Sequence, residues 1–197
     1  MYHQKGRQRL QRLASKVDDG RTIRSLTQVM AAQSLYLGNM VRARRENNAA
    51  AVYENWHKME TLNGPWVDLL MTPFLYRSRV KPSDERLHRL HTVASQMTGG
   101  YTSTLAELIL FGRVSPERLN RLIGAEADFY NTMMGANSEQ QRQTKEQWFS
   151  HTQSVLDMMH FSDAQRYADD DFDWAAANCI EHGQLLGTWL DGVFMGY

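Results

Sequence analysis

The chain has 197 residues, 42% of them apolar and 22% charged, which places it with folded proteins able to bury a core without staples and excludes a disordered chain. Its 22 basic and 22 acidic side chains cancel, and its single cysteine excludes a disulfide framework and any multi-cysteine metal site. No apolar run approaches the roughly 18–20 residues of a membrane span, and the basic N-terminus is not followed by the apolar stretch of a secretory signal. A soluble protein is expected, kept in the cytoplasm or packaged in something assembled there.

In residues 5–17, Leu10, Leu13 and Val17 recur at helical spacing, while Lys5, Arg9, Arg12 and Lys16 share another face. Asp18-Asp19-Gly20 closes this amphipathic helix. Residues 21–46 turn Ile23, Leu26, Met30, Leu37, Met40 and Val41 inward and end on Arg42, Arg44 and Arg45. A further helix carries Val52, Trp56, Met59 and Leu62 and stops at Asn63-Gly64-Pro65. The short apolar piece after it is interrupted by Pro73.

Ser83 reads as an N-cap, with Asp84 and Glu85 in the first turn and Leu87, Leu90, Ala94 and Met97 inward. Gly99-Gly100 is expected to break that helix, and Thr104 with Glu107 fits a capping box opening a new one. Ser115-Pro116-Glu117 is a strong helix start, since proline at the first position loses no hydrogen bond. That helix runs through Leu122 and Phe129 towards Gly135. The polar stretch NSEQQRQTKEQ (137–147) leads into a helix with Trp148, Val155 and Met159 inward. The last helix holds Phe172, Ala176, Ile180, Leu186 and Trp189, and Cys179 within AAANCI reads as a small core residue. Nothing alternates as a strand. The expected fold is all-α, a multi-helix bundle of about six to seven helices, with a basic arm and first long helix over 1–46 and a helical body over 47–197.

Net neutrality hides a gradient. Residues 1–50 hold ten basic and three acidic side chains, net +7, whereas residues 151–197 hold one and eight, net −7. Such asymmetry suits a nucleic-acid partner, a pair of complementary surfaces, or two ends of the chain packed on each other. The apolar C-terminus, with Trp189, Val193, Phe194, Met195 and Tyr197, either docks on its own core or meets a partner.

The sequence contains no phosphate-binding loop, dinucleotide fingerprint or nucleophile elbow, so no enzyme class is indicated and no cofactor is expected. MTGGYTST (97–104) could cradle an anion or simply join two helices. Three acid-x-x-His pairs, Glu54/His57, Glu85/His88 and Asp157/His160, have the spacing used by di-iron and di-manganese bundles. Their other reading is helix-surface pairing worth a few tenths of a kcal/mol.

The basic segment is the stronger lead. Lys5, Arg7, Arg9, Arg12, Lys16, Arg21, Arg24, Arg42, Arg44 and Arg45 could neutralise phosphates without reading bases, because no helix-turn-helix, zinc finger or RNP motif accompanies them. GRQRLQRLASK, GRTIRSLTQVM and LGNMVRARR, followed by a helical body, resemble the major capsid proteins of filamentous archaeal viruses. That resemblance implies a non-enzymatic structural subunit that wraps double-stranded DNA in a virion assembled in the host cytoplasm. It also implies self-association or pairing with a related second subunit. A helical adaptor or regulatory protein is the remaining alternative.

Overall fold

The computed structural model describes residues 5–17, 23–78, 81–135, 138–163 and 165–195, and every regular element among them is helical. The helices are α1 (Lys5–Ala14), α2 (Leu26–Arg45), α3 (Ala49–Thr61), α4 (Asn63–Thr72), α5 (Asp84–Phe111), α6 (Pro116–Phe129), α7 (Ser138–His160) and α8 (Asp169–Met195). A π-helical turn follows α4 at Pro73–Arg77 and another follows α6 at Tyr130–Met134. Asp18, Asp19, Gly20 and Arg21 lie outside the described residues, as does Tyr197.

The caps fall where the hydroxyls and amides place them. Ser25, Ser83 and Ser115 accept from the backbone N–H three residues on, opening α2, α5 and α6, and Asn48 does the same for α3. Arg42, Arg44 and Arg45 close α2, the end at which a helix dipole favours cations.

Two expected boundaries are absent. α5 runs straight through Gly99-Gly100, so MTGGYTST is helix and not a loop that could cradle an anion. Met97, Tyr101 and Leu105 are buried on one side there, and that burial outweighs the roughly 1 kcal/mol that each glycine costs a helix. The hydroxyls of Thr98, Thr102 and Thr104 bond back to carbonyls four residues earlier. With no helix start at Thr104, Glu107 makes no capping box; it accepts from Ser115 N (2.6 Å) and from Arg118 across the α5–α6 corner. Residues 138–147 are also helical, forming the first part of α7, which buries Thr144, Trp148, His151, Val155 and Met158 along one stripe.

The core is centred on α2, which lies along α8. Glycine makes that approach possible: a Cβ on Gly187 would stand 2.5 Å from Leu26 O and Thr27 Cα, and one on Gly183 would stand 2.2 Å from Ser34 Oγ. α1 also rests on α8, α7 packs beside it, and α6 packs on α5. Leu186, Leu190 and Phe194 are buried, and Trp189 Nε1 donates to Thr144 Oγ1 at 2.8 Å. The apolar end of α8 therefore docks on its own core.

Candidate functional site

The acid that balances the N-terminal cations sits directly against them. Arg9 forms a two-pronged ion pair with Glu181 (2.5 and 3.2 Å), donates to Asn178 Oδ1 (2.7 Å) and lies over the Trp174 ring. Arg42 pairs with Asp173 at 2.5 Å and Arg45 with Asp169 at 2.7 Å. Two more carboxylates cap helices from a distance. Asp170 accepts from Gly6 N and Arg7 N at the start of α1. Buried Asp191 accepts from Leu26 N (2.9 Å), Thr27 N (3.1 Å) and Thr27 Oγ1 (2.8 Å) at the start of α2.

Three of the ten proposed phosphate contacts, Arg9, Arg42 and Arg45, are thus held by α8. Arg44 is exposed, yet one of its nitrogens donates to Ile109 O. Lys5, Arg7, Arg12, Lys16 and Arg24 face solvent; among the described residues the last four have no carboxylate at ion-pair distance. Arg21 lies outside the described residues.

The acid-x-x-His pairs do not converge. Glu54 pairs with Lys58 (2.5 Å) while His57 faces solvent, and Glu85 and His88 are both exposed at the start of α5. Asp157 accepts from Gln153 (2.9 Å), and His160 Nε2 meets the Tyr167 hydroxyl (2.6 Å). Among the described residues no three His, Cys, Asp or Glu side chains are grouped to hold a metal ion. The di-metal alternative fails on geometry, because the pairs sit on separate outer faces and a bundle site needs them to project into one core.

What the fold does build is a cleft of about 500 Å³ between α5, α6 and α7. Aromatic side chains form much of its floor between α5 and α7. Tyr101 of α5 meets Trp148 of α7 edge-on with ring centres 4.7 Å apart, and Trp148 is backed by Trp66 at 5.6 Å. Met97 and Leu122 complete an apolar floor, while exposed Ile123 and Phe149 form the lips. The π turn at Tyr130–Met134 extends α6 and places Tyr130 on the same wall.

Two charged groups reach this wall. The Tyr130 hydroxyl donates to Glu126 Oε1 (2.8 Å), and the Lys145 ammonium stands 4.9 Å from the Tyr130 ring centre. Burial, together with the neighbouring Glu126 carboxylate, raises the Tyr130 phenol far above its usual range, so it remains a donor. Trp148 Nε1, nearly inaccessible to solvent, has no hydrogen-bond partner among the described residues.

A buried polar chain lies beneath the floor. Ser34 Oγ donates to Met30 O (2.8 Å), so it can only accept from His151 Nε2 (2.8 Å). His151 Nδ1 is then the acceptor for the Tyr101 hydroxyl at 2.6 Å, which fixes the imidazole as the Nε2–H tautomer. Complete burial, with His182 as a lesser cause, pulls His151 down to about 3, so it is neutral in the folded protein. Cys179 lies in the same interior, its thiol pushed up to about 12 by burial; it is a core residue and no nucleophile at neutral pH.

Sequence reasoning missed both the cleft and His151. The trace of His151 was its place on the stripe of Thr144, Trp148, Val155 and Met158, where a histidine must be partnered. No family model, curated protein or solved structure matches this chain. Among the described residues no helix is long and apolar enough to cross a membrane.

Proposed function

We propose that the chain is a binding protein that takes a mainly apolar small molecule into the cleft between α5, α6 and α7. The observation carrying this reading is the cleft itself. Its volume of about 500 Å³ suits a small-molecule site, and an apolar floor with a few polar groups at the wall is the usual composition of one. Exposed Ile123 and Phe149 at the lips continue the apolar lining out to the mouth.

The test is titration with the uncharged fluorescent probe N-phenyl-1-naphthylamine. Wild-type protein binds it saturably at one site. Ala127→Trp, which fills the cleft from an exposed position, weakens it at least about tenfold, or ~1.4 kcal/mol, with the circular dichroism spectrum unchanged. Equal binding by the two proteins refutes the reading.

A second reading is favoured by one observation, the outward placement of Arg7, Arg12, Lys16 and Arg24. On it, the chain coats duplex DNA without base recognition and self-associates, as a filamentous capsid subunit would. Four phosphate contacts give a log–log salt slope of about −3.6 at most on B-DNA, and reversing Arg7, Arg12 and Lys16 to glutamate flattens it. Absence of both DNA binding and assembly at low salt removes this reading.

A further inference from the structure

We propose that the ligand of the α5–α6–α7 cleft is an amphiphile with a carboxylate head, held at Lys145 with its tail on the apolar floor; this rests on the cleft reading above. The argument begins with charge. Arg142, one turn before Lys145, is bridged by Glu139 and Glu146, and on the facing helices Arg118 and Arg121 are bridged by Glu107 and Glu117. Lys145 is the cation that lines the cleft, and among the described residues it has no carboxylate at ion-pair distance. Its ammonium rests on the face of the Tyr130 ring and keeps its three donors for an incoming acceptor.

The other charge on the wall does not take that role. Glu126 already accepts the Tyr130 hydroxyl, and a cationic head approaching it over Tyr130 meets the Lys145 ammonium first. An anionic head meets unpaired donors, and from there its tail passes onto Leu122, Met97 and Trp148. Lys145 lines the cleft and is exposed, so its charged end can stay in water while its stem covers apolar surface, the usual behaviour of a long cationic side chain. The site therefore has a polar end and a greasy end, and a single-chain carboxylate has the matching polarity.

Calorimetric titration of the full chain with dodecanoate, dodecanol and dodecyltrimethylammonium, each kept below its micelle concentration, separates the possibilities. Dodecanoate is expected to bind three- to tenfold more tightly than dodecanol, the range for a partly exposed ion pair with charge-assisted hydrogen bonds. Lys145→Gln abolishes that preference, read as the ratio of the dodecanoate and dodecanol affinities of the same variant, and Glu126→Gln increases it. Decanoate binds up to about fourfold more weakly for each methylene removed from the floor. Equal affinity for dodecanoate and dodecanol overturns the head-group assignment alone. Tighter binding of dodecyltrimethylammonium that Glu126→Gln abolishes overturns it in favour of a cationic head. Failure of all three amphiphiles to bind refutes the cleft reading itself.

Discussion

Acid should unfold this protein earlier than its carboxylates alone require, because one imidazole is locked neutral inside it. His151 is completely buried, hydrogen-bonded at both nitrogens to hydroxyls, and held at about 3. In the unfolded chain a histidine titrates near 6.5. Between those values the unfolded state binds one proton more than the folded state, so stability rises with pH across that window. The contribution is complete above pH 6.5 and is lost as pH falls, at about 1.4 kcal/mol per unit. By pH 5 the loss is about 2 kcal/mol, a large part of the 5–15 kcal/mol typical of a domain. The assay is urea denaturation at half-unit steps from pH 7 to pH 5, on wild type and on His151→Gln. The variant is less stable at pH 7, since Tyr101 and Ser34 lose well-placed partners, but its stability falls less steeply by one proton's worth. Subtracting the two curves removes whatever the other six histidines contribute. Parallel curves would falsify the assignment of that proton to His151.

Four further outcomes follow from the packing and from the helix caps. Gly187→Ala places a methyl 2.5 Å from α2 backbone atoms that cannot swing aside, so it costs about 3 kcal/mol or more in urea denaturation. Gly100→Ala meets only Leu122 Cδ1 at 3.5 Å and is neutral or stabilising by up to about 1 kcal/mol, because it adds helix propensity to α5; a marked loss there contradicts the continuous helix. Asp191→Ala leaves two backbone donors at the start of α2, Leu26 N and Thr27 N, without their acceptor, while the Thr27 hydroxyl keeps Thr188 Oγ1 as a partner; it costs about 2–3 kcal/mol, against less than about 1 kcal/mol for the exposed pair broken by Asp169→Ala. The Glu107 carboxyl is held below the usual carboxylate range, first by the Ser115 N–H and also by Arg118. Its stabilisation is therefore present above the ordinary carboxylate value and disappears as pH falls through its lowered one, which a carbon-detected NMR titration of its side chain reads directly.

The all-α class, the serine caps at 83 and 115, and the arginine-rich end of α2 were all legible in the sequence, because each is a local matter of spacing or of one side chain bonding its own backbone. The two misread boundaries have different causes. Gly99-Gly100 has poor local propensity, yet α5 carries a buried stripe through Met97, Tyr101 and Leu105, and tertiary burial decided the outcome. Residues 138–147 are rich in Glu, Gln, Arg and Lys, good helix formers that a reading by apolar periodicity passes over. The cleft was not legible at all. It is lined by Tyr101 and Trp148, 47 positions apart and meeting edge to face between α5 and α7, and no local window contains both.

The charge gradient shows most sharply what a sequence withholds. Ten basic residues near one end and eight acidic ones at the other are compatible with a free arm awaiting phosphate or with two ends pressed together. The choice turns on whether the acids have better work to do than face solvent. Here they do: Asp170 accepts from Gly6 N and Arg7 N in the first turn of α1, and Asp191 accepts from Leu26 N and Thr27 N in the first turn of α2, where Ser25 satisfies Gln28 N. Once those two caps fix α8 against α1 and α2, Asp169, Asp173 and Glu181 fall opposite Arg45, Arg42 and Arg9. Helix capping sets the register and the ion pairs follow it. Removing Arg9, Arg42 or Arg45 singly should then cost less than removing Asp191, and the reverse order would mean that the ion pairs, not the caps, bring the two ends of the chain together.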